Sequence, residues 1–454
     1  MFAKPQLFGT DGIRGPAGRY PLDQETVVKL GRALGAVVAA ASGPARPEIL
    51  LGQDTRESSP WIASALACGL HASGARCASA GIITTPGVAF LTRHRGFAAG
   101  VMISASHNPY GDNGIKVFSS AGIKLSEPLE LEVERALGGM KRAAIDGFLP
   151  DLKPAPGLAE DYLQFIESLI PPGSLISRLR LVVDCANGSA CAIAPALFKR
   201  LGVEARIIHS KPTGRNINRD CGALYPASMA AATERASAHL GVAFDGDADR
   251  AIFASAAGRV LDGDHVLFAV APSLKARGLL KGGAVVGTLM TNLRLETALK
   301  AQGIGLKRTA VGDRFVLDEM LRSGLNVGGE PSGHIIFSDL SLAGDGFITL
   351  IQMLSLLAAS GETLDDLMHD YKPFPQVILN VRVREKRPLA AIPEVAVALK
   401  RCQDDLSERG RVNLRYSGTE PVARVMVEGE DAVLVLRHAE QIAAAVESAL
   451  GNAG

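Results

Sequence analysis

A chain of 454 residues is too long for one ordinary hydrophobic core and, at about 100 to 200 residues per domain, is expected to form three or four domains. Its 47% hydrophobic content excludes a disordered protein, and 48 lysines and arginines balance 47 acidic residues, so no overall charge attracts nucleic acid or anionic lipid. We therefore expect small-molecule chemistry, with any anion-binding charge confined to a local site.

The cysteines and the start of the chain indicate a reducing, aqueous compartment. The six cysteines contain no Cys-x-x-Cys pair and match neither a disulfide framework nor a zinc site. Residues 1–15 lack a cationic start followed by an apolar stretch, and the longest apolar helix candidate, residues 348–359, is too short to cross a bilayer. We expect a cytoplasmic protein that does not bind membranes.

One pattern occurs three times along the chain. Each copy consists of an apolar run, a small polar turn, a segment with helical periodicity, a glycine and a second apolar run, in that order. Such alternation predicts βαβ units and mixed, mainly parallel sheets covered on both faces. In the three copies, the first apolar run covers residues 48–54, 181–184 and 284–288. The helices predicted to follow these runs cover residues 59–72, a segment ending at residue 201, and residues 292–301.

Stretches rich in proline and glycine at residues 147–157, 254–263 and 369–375 divide the chain into four segments. The last segment starts with a strand of alternating apolar residues, 377–383, and ends in an amphipathic helix over residues 431–450. We predict three tandem, similar α/β domains, residues 1–153, 154–255 and 256–368, followed by an α+β domain with an antiparallel sheet, residues 369–454.

The first candidate for chemistry is residues 8–15, Phe-Gly-Thr-Asp-Gly-Ile-Arg-Gly. Glycines permit backbone conformations that bring N–H groups close to an anion, so Arg14 could face a phosphate. A simple surface turn explains this stretch equally well when it is judged alone.

A small polar turn follows at residues 104–109, Ser-Ala-Ser-His-Asn-Pro. The Asn-Pro pair prevents a helix from continuing and predicts that the Ser106 hydroxyl lies on an exposed turn. Lys116 is a candidate for proton transfer or for steadying a phosphate. Alone, Ser106 is more simply a turn residue and Lys116 a solvent-facing lysine.

The strongest motif is the run of Asp245, Asp247 and Asp249 with small residues between them, directly after an apolar strand. Three such carboxylates suit Mg²⁺, which prefers oxygen ligands. With Ser106 they suggest a phosphoserine, of charge about −1.5 to −2, beside a divalent cation. An EF-hand is unlike this run, which has Arg250 and Ala256 where glycine and glutamate are needed. A solvated acidic turn and an aspartyl-phosphate nucleophile at Asp245 are the other interpretations.

Two further loops combine polar groups. Residues 328–334, Gly-Gly-Glu-Pro-Ser-Gly-His, suit the vicinal hydroxyls of a sugar, although a glycine-rich turn with a capping serine is the alternative. Residues 415–421, Arg-Tyr-Ser-Gly-Thr-Glu-Pro, lie between two apolar strands and, with Arg424, could cradle a phosphate. A hairpin loop with surface arginines is the alternative there.

In this order, the five segments resemble the α-D-phosphohexomutase superfamily over nearly the whole chain. The resemblance implies four domains around a central cleft, a phosphoserine at Ser106, and Mg²⁺ held by the serine phosphate and the three aspartates. It implies proton transfer by Lys116 and His334 and support of the transferring phosphoryl group by Arg14. The remaining implied contacts are to sugar hydroxyls, from Glu330 and Ser332, and to the non-reacting phosphate, from Arg415, Ser417, Gly418, Thr419 and Arg424.

Residues 8–15, 184–188, 216–218, 287–292 and 311–314 resemble the branch of this superfamily that interconverts glucosamine 6-phosphate and glucosamine 1-phosphate. The resemblance implies a hexosamine 1,6-bisphosphate as intermediate and activator. We expect a monomer or a homodimer. Pro331 departs from that branch, which commonly has an amide side chain between the glutamate and the serine of the sugar loop. Glucose and mannose phosphates are therefore the alternative substrates.

Two hypotheses from other functional classes remain open at this point. A metal-dependent phosphatase would form its phosphoenzyme on Asp245 rather than on Ser106. A non-catalytic protein would bind the sugar phosphate without isomerising it.

Overall fold

The apolar runs of the sequence form the central strands of four sheets. The structure is a computed structural model, and it describes residues 5–42, 46–140, 149–417 and 421–451. The first sheet is built from β1 (Ile13–Pro16), β2 (Glu48–Gln53), β3 (Arg76–Ile82), β4 (Ala99–Ile103) and β5 (Asp112–Ser119). Its helices are α1 (Gln24–Ser42), α2 (Ser59–Ala72), α3 (Thr85–His94) and α4 (Glu127–Gly138).

The second and third sheets continue the chain. The second contains β6 (Arg180–Asp184), β7 (Glu204–Ile208), β8 (Leu240–Phe244), β9 (Ala251–Ser255) and β10 (Val260–Leu261), with α5 (Leu158–Ser168), α6 (Ala190–Leu201) and α7 (Ala227–Arg235). The third contains β11 (Ala284–Thr288), β12 (Gly305–Thr309), β13 (Val327–Gly329) and β14 (Ile335–Phe337), with α8 (Gly263–Ala276), α9 (Leu293–Ala301), α10 (Asp313–Ser323), α11 (Gly346–Ser360) and α12 (Leu364–Leu367).

These three sheets share one topology, as the internal repeat predicts. Their strand orders are β3-β2-β4-β5-β1, β7-β6-β8-β9-β10 and β12-β11-β13-β14. In each, the first three strands of the order pair in parallel and the fourth pairs antiparallel. The prediction of similar α/β domains with mixed sheets is confirmed.

Alternation along each central strand explains why helices cover both faces. In β2, Ile49 and Leu51 pack in the cluster that contains α1 and α2, whereas Leu50 packs with Val88 of α3. Successive side chains of a strand point to opposite faces, so an uninterrupted apolar run needs a covered surface on each side. The second and third domains also share one continuous cluster of buried apolar residues.

The fourth domain has a different architecture. Its strands β15 (Gln376–Arg382), β16 (Gly410–Tyr416) and β17 (Val422–Gly429) form an antiparallel sheet of order β15-β17-β16, and its helices are α13 (Pro393–Leu406) and α14 (Ala432–Leu450). The predicted C-terminal helix begins after Asp431, whose side chain accepts hydrogen bonds from the N–H groups of Val433 and Leu434. The α+β prediction for this segment is confirmed.

The domain boundaries drawn from the sequence stay predictions. The boundary between residues 255 and 256 falls between β9 and β10, which pair with each other. All six cysteines are free thiols. None of the helices in the described part of the chain is both long and apolar enough to cross a membrane.

A buried carboxylate links α5 to α11 and has a pH-dependent effect on stability. Asp345 caps α11 through the N–H groups of Phe347 and Ile348, and the Tyr162 hydroxyl donates to its Oδ2 at 2.8 Å. Burial raises the pKa of Asp345 to about 6, although these hydrogen bonds oppose the shift. The folded state therefore holds this proton more tightly than the unfolded state does.

Comparison of Asp345→Asn with the native protein tests this shift. A carboxyl group with a raised folded pKa destabilises the protein above that pKa, and the penalty disappears as the pH falls towards the unfolded value. We expect the melting temperature of the native protein to rise relative to that of Asp345→Asn between pH 7 and pH 5. A difference that does not change over this range, measured by thermal denaturation of both proteins, contradicts the assignment.

Candidate active site

The candidate site starts at the turn between β4 and β5, where Ser106 adopts a left-handed backbone with φ of +51°. Its hydroxyl donates to Asp245 Oδ2 at 2.5 Å, and its N–H donates to Ser104 Oγ at 2.9 Å. The bond to Asp245 joins the first domain to the second. Ser106 and the aspartate run, 139 residues apart, are therefore in direct contact.

The expectation that the Ser106 hydroxyl lies on an exposed turn is wrong, since Ser106 is 0% exposed. Arg56, itself buried and paired with Asp54 at 2.8 Å, donates to the carbonyl oxygens of Ser106 and Asn108 at 3.0 and 2.8 Å. Asn218 of the second domain donates to the same two carbonyls at 2.8 and 3.1 Å. Local turn chemistry could not reveal these covering groups, which come from distant segments.

The three aspartates follow β8 and are all buried, so the interpretation as a solvated acidic turn is wrong. One carboxylate oxygen from each lies within 4.8 Å of the others. Gly246 permits the contact with the first domain, because a Cβ there would meet the Ser106 carbonyl oxygen at 2.5 Å. The small spacer is thus required by the approach of two loops.

Charge compensation comes from Lys116 on β5, which is only 1% exposed. Its Nζ donates to Asp247 Oδ2 at 2.8 Å and to Asp249 Oδ2 at 3.2 Å, and it pairs with Asp11 at 3.2 Å. Burial alone would lower the pKa of Lys116, but the three carboxylates outweigh it and hold the pKa well above its ordinary value. The solvent-facing alternative for Lys116 is therefore excluded, and the amine is an ammonium group.

The triad keeps oxygen atoms that a cation could use. Asp247 Oδ1 and Asp249 Oδ1 are buried and have no hydrogen-bond partner among the described residues. Burial and the nearby carboxylates of Asp249 and Asp247 raise the pKa of Asp245 well above its ordinary value. This shift indicates that several negative charges lie close together at the site. These acids could bind a divalent metal ion, and their hard oxygen ligands fit Mg²⁺.

His107 and Arg14 lie on the cleft side of Ser106. His107 Nδ1 is 3.3 Å from Ser106 Oγ, and Arg14 Nη1 donates to Asn108 Oδ1 at 3.2 Å. Burial, with the nearby Arg250 and Arg14 guanidinium groups, lowers the pKa of His107 to about 4. The imidazole next to the serine is therefore neutral near pH 7.

The third domain supplies the opposite wall of a cleft of about 710 Å³, which is lined by Arg14, His107, Glu330 and His334 among others. Glu330 Oε1 accepts a hydrogen bond from the Gly312 N–H at 3.0 Å. Burial disfavours charge on His334, but Asp249 and Asp313, at 3.7 and 3.6 Å from its ring nitrogens, raise its pKa to about 9. The Ser332 hydroxyl is buried without a hydrogen-bond partner among the described residues.

The predicted phosphate cradle lies on the antiparallel strands β16 and β17 of the fourth domain. Arg415 pairs directly with Arg424 in the strand register, and Ser417 N–H donates to the Val422 carbonyl at 2.8 Å. Burial and then the charge of Arg424 lower the pKa of Arg415, since two adjacent guanidinium groups repel each other. An anion between them would relieve this repulsion. Gly418 and Thr419, also predicted for this site, lie outside the described residues.

The structure therefore brings together the predicted residues of the first three domains. Among the described residues, the lining of the cleft beside Ser106 includes none from the Arg415–Arg424 strand pair.

Sequence reasoning missed several residues that build this site. Lys124 donates to Asp11 Oδ1 at 2.5 Å and pairs with Asp313 at 2.6 Å, which links the first domain to the third. Arg56 and Asn218 hold the Ser106 turn. Two of the residues lay in quoted motifs without being given a role: Asn218 in residues 216–218 and Arg250 directly after the aspartate run. The others acquire their roles through contacts between distant segments.

Family models match almost the whole chain. They are the phosphoglucomutase/phosphomannomutase alpha/beta/alpha domains I, II and III, at residues 5–142, 160–258 and 262–374, and the C-terminal domain of the same family, at residues 378–445. The chain belongs to the phosphoglucomutase/phosphomannomutase family and is a phosphohexomutase, an enzyme of the isomerase class.

Among individual relatives, the chain is similar to two proteins named phosphoglucosamine mutase. The one from Koribacter versatilis is 49% identical over 98% of this chain and 97% of the relative, and the one from Solibacter usitatus is 48% identical over 98% and 99%. The resemblance found in the sequence is confirmed.

Solved structures show the same fold. A phosphoglucomutase/phosphomannomutase family protein from Burkholderia thailandensis superimposes with a TM-score of 0.79 at 22% identity, covering 99% of this chain and 98% of the other. A structure described as a putative phosphomannomutase from Thermus thermophilus gives a TM-score of 0.77 at 22% identity, with 98% and 100% covered.

The role of Arg56 in holding the Ser106 turn can be tested by Arg56→Lys, with Arg215→Lys as the matched control. Lysine keeps the charge but lacks the planar fork that reaches several carbonyl oxygens at once. Because small displacements of reacting groups are costly, we expect kcat to fall about 10- to 100-fold. Arg215 pairs with Glu57 on the surface, and its variant should keep native activity. A native kcat for Arg56→Lys contradicts the role.

Proposed function

We propose that this enzyme interconverts glucosamine 6-phosphate and glucosamine 1-phosphate through a phosphoserine at Ser106 and a 1,6-bisphosphate intermediate. The observation that supports the mechanism most is the 2.5 Å contact between Ser106 Oγ and Asp245 Oδ2 beside two further buried carboxylates. The similarity to proteins named phosphoglucosamine mutase supports the choice of sugar.

In the first half-reaction, the bond between Ser106 Oγ and phosphorus breaks and a bond from phosphorus to the sugar O1 forms. The proton of the sugar hydroxyl is released to solvent, and Ser106 Oγ takes up a proton from cationic Lys116 or His334, so the step neither gains nor loses protons overall. The bisphosphate then turns end for end, and its 6-phosphoryl group passes to Ser106. Phosphoryl transfer depends mainly on positioning and on charge neutralisation, which the rigidly held Ser106 turn and its cationic neighbours supply.

The proposed proton carriers follow from their charge states. Lys116 and His334 are both cationic near pH 7 and so begin as donors, whereas neutral His107 can accept a hydrogen bond from the serine hydroxyl. Arg14 points into the cleft and could support the transferring group. Glu330 and Ser332 would bind sugar hydroxyls, and Gly333 places the loop between β13 and β14 with a φ of +87°.

Asp245, Asp247 and Asp249, with the serine phosphate, would hold Mg²⁺, and the Oδ1 atoms of Asp247 and Asp249, which have no hydrogen bond among the described residues, support this assignment. When bound, the ion supplies charge neutralisation at the phosphoryl group. The cleft walls would exclude water, which otherwise hydrolyses a phosphoenzyme.

The fourth domain would grip the phosphate that is not reacting. Arg415, Ser417, Gly418, Thr419 and Arg424 are the proposed ligands. Because the bisphosphate reorients, this cradle must accept a phosphate at either end of the sugar. That task suits charge-assisted bonds to phosphate oxygens, which do not depend on the ring substituents.

Because Pro331 stands where the glucosamine branch commonly has an amide side chain, glucose and mannose phosphates are the alternative substrates. Its ring provides no amide donor or acceptor, and its carbonyl oxygen is already used by the N–H of Gly263 at 3.1 Å. Discrimination of the amino group would then depend on the neighbouring Glu330, whose carboxylate can pair with an ammonium group.

A coupled assay with glucosamine 6-phosphate, glucose 6-phosphate and mannose 6-phosphate tests the proposal. With Mg²⁺ and a hexose 1,6-bisphosphate primer, we expect the highest kcat/KM for glucosamine 6-phosphate. Chelation with EDTA should abolish activity, and added Mg²⁺ should restore it. Ser106→Ala should be inactive, whereas Ser64→Ala, on the outer helix α2, should be native.

A higher kcat/KM for glucose or mannose phosphate would disprove the choice of sugar but not the mechanism. A phosphoryl label that hydroxylamine releases from Asp245, instead of a stable label on Ser106, would establish the phosphatase-type alternative. Binding without isomerisation in the primed native enzyme would establish the non-catalytic alternative.

The phosphate cradle can be tested through Arg424→Ala. A charge-assisted hydrogen bond contributes about 1.5 to 3 kcal/mol, so we expect kcat/KM to fall about 10- to 100-fold. Arg382→Ala, which removes an exposed arginine from the neighbouring strand β15, is the matched control and should leave kcat/KM unchanged. Equal kinetics for the two variants would exclude Arg424 from phosphate binding.

A further inference from the structure

A second set of metal-ligating side chains lies at the carboxyl edge of the second sheet. Asp184 ends β6, His209 follows β7, and Cys221 lies in the same loop as His209, between β7 and α7. Strands β6 and β7 are parallel and pair Asp184 with Ile208, so the ends of both strands meet. One ligand atom from each of the three side chains lies within 4.8 Å of the other two.

The donor atoms at this cluster are only partly used by the protein. His209 Nδ1 lies 3.0 Å from Asp184 Oδ2, and this contact raises the pKa of His209; among the described residues Nδ1 has no hydrogen bond to any other group. Cys221 is 1% exposed, and its sulfur receives one long contact, 3.8 Å from Asn187 Nδ2. Asp184 is fixed by the N–H groups of Ala186 and Gly222 at 2.8 and 3.0 Å.

We propose that Asp184, His209 and Cys221 form a binding site for one divalent cation of the zinc class. A thiolate, an imidazole and a carboxylate are the ligands that zinc takes, at bond lengths of about 2.0 to 2.3 Å, with a fourth position left for water. Mg²⁺ prefers oxygen ligands and would not compete well at a site with sulfur and nitrogen. The two cation sites of the second domain therefore differ in ligand chemistry.

Binding requires a defined exchange of protons. The S–H bond of Cys221 breaks, its proton passes to solvent, and a bond from sulfur to the cation forms. His209 Nδ1 carries a proton where it faces Asp184, so that proton also passes to solvent, and the lone pair freed on Nδ1 binds the cation. No oxidant or reductant is involved.

The position of the site suggests its consequence. His209 and Cys221 both lie in the loop between β7 and α7, and Asn218, between them in sequence, donates to the carbonyl oxygens of Ser106 and Asn108. His209 and Asn218 have φ values of +45° and +58°, in the left-handed region that histidine and asparagine enter more readily than most residues. A cation would tie the segment from His209 to Cys221 to the end of β6 and thereby stabilise the support of the Ser106 turn.

The test is a titration of the metal-free enzyme with Co²⁺ in excess Mg²⁺, since Co²⁺ reports thiolate ligands through a charge-transfer band. We expect one equivalent of Co²⁺ to produce the band and Zn²⁺ to displace it. Cys221→Ser should abolish the band, and His209→Asn should weaken Co²⁺ binding at least tenfold. Asparagine is chosen because it tolerates the left-handed backbone at position 209.

Two controls separate this site from others. Cys402→Ser removes a buried thiol of the fourth domain and should leave the titration unchanged. Asp245→Asn should also keep the band, whereas Co²⁺ bound at the triad would show no thiolate band at all. Circular dichroism checks the folding of each variant, and His209→Asn decides the matter if Cys221→Ser does not fold. A native protein without the band, or a band that persists in Cys221→Ser, overturns the proposal.

Discussion

The ion-pair network between Lys116 and the buried aspartates is the interaction on which the arrangement of the site depends. Three carboxylates after β8 would repel each other in a region from which water is excluded, and an unpaired buried charge costs several kcal/mol. Lys116 from the first domain contacts Asp247 and Asp249 of the second. The first two domains are therefore held in one relative position by the same charges that surround Ser106.

The network continues into the third domain. Asp11 contacts both Lys116 and Lys124, and Lys124 in turn pairs with Asp313 at the start of α10. His334 lies between Asp249 and Asp313 and closes the chain of alternating charges. The charge of each buried residue in this network is compensated by a residue from another segment. A change of charge at any of these positions therefore affects the electrostatics of groups from three domains.

The repeated topology explains why these groups converge. Each α/β unit places its turns at the carboxyl ends of its parallel strands, and such turns are where α/β proteins commonly bind ligands. Ser106, Asp245 and Glu330 all follow a strand of their own sheet. The fourth domain contributes a different element, a pair of adjacent arginines on antiparallel strands, whose repulsion an anion would relieve. Under the proposed mechanism, the reacting and the non-reacting phosphate would be bound by different architectures.

The sequence by itself determined the internal repeat, the change of architecture near residue 376, the family, and the identity of most candidate site residues. Hydrophobic periodicity and short motifs are local properties of the chain, and the residues next to Asp245 or Arg415 in sequence are enough to indicate the function of each. Burial of Ser106, the ammonium state of Lys116 and the neutral state of His107 were decided only by the tertiary structure. Each depends on groups that are distant in sequence, such as Arg56, Asn218 and Asp11, and desolvation and charge pairing arise only when folding brings such groups into contact.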